Sequence, residues 1–380
     1  MVVNMHELIY LNNAATSWPK PPEVSKAVAR ALENRPGAAN RGGIEHFDVL
    51  GQVRGKLRKL IGAPADECIA LGSNATWALN LALFGYPFKP GDIVLTSKSE
   101  HNSVLRPLYE LERRGMIRAV YLDTDETGRI PEQKWAEAVE KFKPALAVFT
   151  HASNVTGAVN NAYALSNAAK SAGAHVLLDA SQTCGMEEID VQGWNIDLLA
   201  LTGHKYLLGP QGTGALYVHP DVTLTPHLIG GTGSHSDRKT MPDEMPFRLE
   251  AGTGSEPSFH GLLAAMEWTE QNPVDHRQVQ GVFEALKHGL LEAGAELINP
   301  GGACTPTVSF NIPGMAPSEV AYILEESYDI LCRTGLHCAP EIFGCLGHRE
   351  GTVRFSLSRF NTMEEIDEVI SAVKDIADAN

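Results

Sequence analysis

The sequence has no apolar run of the roughly 20 residues that a membrane-spanning helix needs, so no membrane span is expected. Met1 to Tyr10 lacks a basic stretch followed by an apolar one, so no signal peptide is expected there either. Positive charge is in deficit: 31 Lys and Arg against 46 Asp and Glu give a net charge of −15. That argues against a nucleic-acid binder, which would need a basic face to offset phosphates. Cysteine is sparse. Cys68, Cys184, Cys304, Cys332, Cys338 and Cys345 are the six, and none forms a CxxC pair. Neither a disulfide framework nor a metal site is expected, and reduced thiols in a cytoplasmic protein are. Internal repeats and low-complexity segments are missing as well.

What is present is enough chain, 380 residues, for two lobes. Short β-rich runs stand at Cys68–Leu71, Ile93–Thr96, Ala119–Leu122, Ala145–Thr150, His175–Asp179 and Leu198–Thr202. Helical patterns lie between several of them, at Ala75–Phe84, Pro131–Lys141 and Ala162–Ala172, and two more begin near Glu23 and Val49. This alternation predicts a mostly parallel sheet covered on both faces. Gly230–Ser258, rich in Gly, Ser, Thr and Pro, reads as a long loop, and long loops in compact domains are usually functional. A helical stretch from Gly261 to Ala293, broken near Pro273, leads into a smaller α+β region that starts near Thr305.

Two strand ends carry the chemistry. Val176–Asp179 is an apolar strand finishing in an acid, and Leu199–Thr202 runs into Gly203-His204-Lys205. Ligands of open α/β sheets bind beyond the carboxyl ends of the strands. An acid and a lysine at two such ends suit a pyridine cofactor: the carboxylate keeps the ring nitrogen protonated, and the lysine forms an imine. Each has a plainer reading, Asp179 as a helix cap or turn residue and Lys205 as a solvated side chain. Gly72-Ser73-Asn74-Ala75-Thr76 leaves a strand and opens a helix, where free N–H groups suit a dianion, although a simple N-cap would look the same.

The block Leu178-Asp179-Ala180-Ser181-Gln182, then Thr202-Gly203-His204-Lys205 and Gly209-Pro210-Gln211-Gly212, closely resembles the class V aminotransferases, most of all the cysteine desulfurases. The resemblance runs from Tyr10-Leu11-Asn12-Asn13-Ala14-Ala15 to Arg354-Phe355-Ser356-Leu357. It implies the fold type I architecture of enzymes that use pyridoxal 5′-phosphate (PLP): a large domain over 15–260 with a mostly parallel seven-stranded sheet, and a smaller α+β domain from 1–14 and 261–380. It implies a homodimer with active sites at the subunit interface. Lys205 matches the Schiff-base lysine, Asp179 the acid at the pyridine nitrogen, Gln182 the partner of the phenolic oxygen and His101 the histidine stacked on the ring. Asn154 matches an asparagine near ring and substrate. Ala75, Thr76, Thr202 and His204 match the phosphate site, and Thr253, in Glu250-Ala251-Gly252-Thr253, a residue that reaches the phosphate from the partner subunit. Trp77 departs from the family, which often has glutamate there.

Cys332-Arg333-Thr334-Gly335-Leu336-His337-Cys338-Ala339-Pro340 resembles the loop that carries the desulfurase nucleophile, and Cys338 is the match. Arg333 and His337 are expected to be its cationic neighbours and to favour the thiolate. Cys332 reads as core and Cys345 as a bystander. Arg354 matches the arginine that grips the substrate carboxylate. The implied reaction converts L-cysteine to L-alanine, leaves a persulfide on Cys338 and passes the sulfur to an acceptor, a small thiol or a protein. Three other readings stay open: a selenocysteine lyase acting on L-selenocysteine, another class V activity such as an aminotransferase or epimerase, and a catalytically silent PLP-binding partner protein. Cys338 speaks against the second, and Lys205, Asp179 and Arg354 against the third. Glu341–Arg349 matches no familiar pattern.

Overall fold

The computed structural model describes residues 8–34, 48–233, 236–298 and 301–380. Seven strands form the central sheet, in the spatial order Ile69–Gly72, Gly214–Val218, Leu198–Thr202, His175–Asp179, Leu146–Thr150, Asp92–Ser97 and Ile117–Leu122. All run parallel except Gly214–Val218, which is antiparallel to both neighbours. The expected mostly parallel α/β sheet is therefore present. Its central strands are continuous apolar runs because both faces are covered: Leu146–Thr150 and Leu198–Thr202 are buried at every residue. Helices Val49–Ile61, Glu132–Phe142, Ala162–Ser171 and Glu256–Gln271 enclose one core. Ala75–Gly85 and Asn102–Arg113 enclose the other.

A second sheet, antiparallel, has the order Arg333–Gly335, Thr352–Ser356, Thr307–Asn311 and Glu296–Ile298. It builds a separate core with helices His276–Glu292, Pro317–Tyr328 and Met363–Asp378. The amino-terminal strand Ile9–Tyr10 joins this lobe by pairing with Ile330–Leu331, and Ile9 and Leu11 are buried in its core. Residues 1–7 of the expected small domain lie outside the described residues. Helix Glu256–Gln271 buries Phe259, Leu262, Leu263 and Met266 in the first core. A boundary after residue 260 would cut that helix, so we propose the turn between Gln271 and His276 as the division.

Three local expectations change. The long loop ends at Ser255, since Ser258 lies in a helix; Ser234 and His235 within it are outside the described residues. Arg333–Gly335 is a strand, held by Thr352–Ser356, which shortens the nucleophile loop. Glu341–Arg349 contains a short helix, Ile342–Leu346.

Candidate active site

The carboxyl ends of the parallel strands face one cavity of about 260 Å³, whose walls include His101, Asn154, Asp179, Gln182, Thr202, His204, Lys205 and Arg354. Register explains the convergence: Asp179 lies opposite Thr150 on one side and Ala200 on the other. Asp179 is 3% exposed. Its Oδ1 accepts from the Ser181 N–H and hydroxyl, which orients the carboxylate and leaves Oδ2 for another donor. Lys205 follows the end of Leu198–Thr202 by three residues. Burial pushes its amine down to about 8, against the pull of Asp179. Behind it, Gly203 packs so tightly that a Cβ would stand 2.2 Å from Thr213 Oγ1.

Glu100 belongs to the same framework and was not singled out in the sequence. Its Oε1 accepts from Ser97 Oγ (2.6 Å) and Thr150 N (3.1 Å), tying two strand ends together. Burial pushes this acid up to about 8, so it is mostly neutral at pH 7.

His101 caps helix Asn102–Arg113. Its Nδ1 accepts from Ser103 N at 3.0 Å, which places the ring proton on Nε2. Burial, and then the Lys205 charge, push its pKa down to about 4, so the cavity meets a neutral ring. Where Ile69–Gly72 turns into Ala75–Gly85, Asn74 caps the helix by accepting from Trp77 N at 2.9 Å. Ala75 and Thr76, the next two residues, have no carbonyl four positions back within the helix. Their N–H groups and the helix dipole provide for a phosphate. Gly214 lets this turn pass, since a Cβ there would stand 2.6 Å from Asn74 Cα.

Gln182 donates from Nε2 to Ala14 O (3.1 Å), and its Oε1 has no partner among the described residues. His204 Nδ1 and Arg354 Nε are likewise buried and unpartnered. All three residues line the cavity. An acid, a lysine, helix-terminal N–H groups, the unpartnered His204 ring nitrogen and the second Nε2 hydrogen of Gln182 fit the ring nitrogen, aldehyde, phosphate and phenolic oxygen of PLP. Thr253 is the exception: it is exposed and absent from the cavity wall. The chain before it is anchored, because Glu250 accepts from Arg54 and from Leu71 N (2.6 Å).

Arg354 is 1% exposed. Its Nη1 donates to Asn154 O (2.8 Å) and its Nη2 to Asn12 Oδ1 (3.1 Å), so the guanidinium is aimed before any ligand arrives. Asn154 also donates to His337 O at 2.7 Å, which couples the cavity to the Cys338 loop. Asn12, Ser103 and Ser181 are positioning residues that sequence reasoning missed. Each lies within two residues of a motif member or inside a quoted motif, but only contacts reveal its role.

Cys338 faces a vestibule of about 480 Å³ that shares Thr76, His101 and Ser103 with the cavity. Arg333, which lines the cavity, holds Cys338 Sγ at 3.0 Å. The second expected cation is corrected. His337 is 2% exposed and its Nε2 lies 2.9 Å from Thr352 Oγ1. Burial pushes its pKa down to about 2, so it is neutral and turned away from the thiol. Cys332 is half-buried and packs against the second core, and burial pushes its thiol up to about 12.

Residues 9–369 match the class V aminotransferase family. A probable cysteine desulfurase of Methanothermobacter thermautotrophicus is 32% identical, over 98% of this chain and 96% of its own length. A probable cysteine desulfurase of Pyrococcus abyssi is 31% identical, over 97% and 94%. Among solved structures, the cysteine desulfurase of Thermococcus onnurineus superimposes with a TM-score of 0.88 at 29% identity, covering 98% of this chain and 96% of that one. A cysteine desulfurase of Escherichia coli gives 0.87 at 26% identity, covering 99% and 96%.

Proposed function

We infer that this chain, which belongs to the class V aminotransferase family, is a PLP-dependent cysteine desulfurase acting on L-cysteine. The observation that carries the reading is the Arg333–Cys338 contact at the mouth of a cavity lined by Lys205, Asp179 and Arg354, because no aminotransferase or epimerase needs a thiol there. Lys205 would anchor the cofactor, Asp179 Oδ2 meet its ring nitrogen, His101 its face and Gln182 its phenolic oxygen. Ala75, Thr76, Thr202 and His204 would hold its phosphate. PLP, when bound, supplies an aldehyde for the amines of Lys205 and substrate, and a ring that accepts the electron pair released at the α-carbon.

The chain's own groups do the rest. Arg354 takes the substrate carboxylate in a bidentate grip. Once released, Lys205 removes the α-proton, with an amine pushed down to about 8 and therefore partly unprotonated near neutral pH. Arg333 donates to Cys338 Sγ at 3.0 Å and so aims the sulfur, which reacts as its thiolate. The thiolate attacks the substrate sulfur: an S–S bond forms, the C–S bond breaks, and the carbon fragment leaves as alanine after protonation. The persulfide sulfur then passes to an acceptor through the vestibule. Selenocysteine would fit the same cavity, and parallel assays of alanine release from both substrates separate the two activities. A cytoplasmic homodimer is the setting we propose.

One turnover with cysteine, followed by peptide mass mapping, tests the reading. The expected result is one added sulfur on Cys338 with one alanine released. Full turnover of cysteine by Cys338→Ala would overturn it. In Lys205→Ala the visible absorbance of the cofactor should vanish and borohydride should no longer fix the cofactor to the protein.

A further inference from the structure

A second cavity, of about 700 Å³, adjoins the nucleophile loop through Leu336 and Pro340, although Cys338 itself faces the vestibule. Cys345, on helix Ile342–Leu346, lines it. Its Sγ lies 3.7 Å from Asp123 Oδ1, and Lys98 neutralises that carboxylate at 2.6 Å. Lys134 and Arg349, both exposed, also line the cavity and make no ion pair among the described residues. Thr124 lines it too; the residue is 8% exposed and its buried hydroxyl has no partner among the described residues. The cavity thus offers a thiol, two cations outside any ion pair among the described residues and an unpartnered hydroxyl; the carboxylates on its wall are Asp123, paired with Lys98, and Glu341, which accepts from the Tyr109 hydroxyl at 3.1 Å.

We propose that Cys345 is a modification site, which exchanges with the disulfide of a small carboxylate-bearing thiol held by Lys134, Arg349 and Thr124. The Cys345 thiolate attacks one sulfur of that disulfide. The original S–S bond breaks, a new one joins Cys345 to the attacked sulfur, and the other half leaves as a thiolate. The adduct lies against the mount of the nucleophile loop, because Ile342 and Phe343 of the same helix pack on Val155 and Ala339. The site is independent of the desulfurase reading.

The test incubates the cofactor-loaded protein with glutathione disulfide, which is anionic, or cystamine, which is cationic, and follows the adduct on the Cys345 peptide by mass. A net charge of −15 favours cystamine over the surface as a whole. At Cys345 the preference should reverse, with glutathione disulfide reacting about fivefold faster. Cys304 serves as the internal reference and should show no such reversal. Lys134→Glu combined with Arg349→Glu should abolish the preference, and Cys345→Ser should remove the adduct. Cystamine reacting at Cys345 as fast as the anion would overturn the proposal, as would a preference that survives charge reversal.

Discussion

Arg333 and Cys338 stand five residues apart in the chain, and a 3.0 Å contact joins their side chains. The guanidinium donates to the sulfur and aims it, and such a bond strengthens as negative charge gathers on its acceptor. Arg333→Leu should therefore slow persulfide formation about tenfold or more, while cofactor absorbance stays. An unchanged rate in a single-turnover trace would remove the arginine from this role. The motif containing both residues was legible in the sequence, but which neighbour serves the thiol was not. His337 and Cys338 adopt φ of 46° and 60°, and this left-handed pair turns the histidine inward. Side-chain direction at such positions follows from backbone sterics that no spacing rule encodes. His337 also carries a pH consequence. Its folded pKa of about 2 lies below the ordinary 6.5, so the unfolded chain binds the proton more readily and this group lowers stability as pH falls below 6.5. His337→Asn, with a residue that tolerates positive φ, should lose less stability than the parent protein between about pH 6.5 and 5. Denaturant melts across that range give the two slopes, and equal slopes would contradict the assignment.

Elements were easier to read than their relations. Strands buried on both faces are short apolar runs, and His175–Asp179 and Leu198–Thr202 have the bounds that the sequence suggested. Gly214–Val218 went unread because its reversed direction depends on its partners and not on its composition. The helix Ile342–Leu346 was missed because five residues show barely more than one turn of periodicity. The turn from Ile69–Gly72 into Ala75–Gly85 shows how one departure from the family pattern is accommodated. The Trp77 ring lies over Gly72, where an added Cβ would meet it at 2.4 Å. Gly72→Ala should cost about 1–3 kcal/mol of stability and displace the N–H groups of Ala75 and Thr76. The expected sign is weaker cofactor affinity in absorbance titrations. Adding Trp77→Ala to Gly72→Ala should recover part of it, and a double variant no better than the single one would show that the ring is not the obstacle.

The whole molecule divides its labour between two cores, and the cavity gathers from both: Lys205 and Asp179 stand at strand ends of the first, Arg354 and Arg333 on paired strands of the second. The fold class was legible because strand–helix alternation persists over the first half of the chain. The meeting of the lobes was not, because Asn154–Arg354 and Asn154–His337 are contacts across some two hundred residues that leave no local pattern. Thr253 extends the same question beyond one chain. Glu250 is clamped to Arg54 and Leu71, so the segment is fixed at its root, yet Thr253 is exposed and away from its own cavity. A fixed root and an outward threonine suit a residue that completes the phosphate site of a second copy. Chains with Lys205→Ala and chains with Thr253→Ala should each be impaired alone. If the proposed homodimer forms when they are unfolded together and refolded, half of the dimers are mixed. In a mixed dimer one site combines Lys205 from one chain with Thr253 from the other and is undamaged, whereas its companion site carries both lesions. Activity should therefore rise on mixing to about a quarter of the parent protein's at equal chain ratio. If Thr253 served its own chain instead, mixing would leave activity at the average of the two variants, and a fully active monomer on dilution would exclude the shared site altogether.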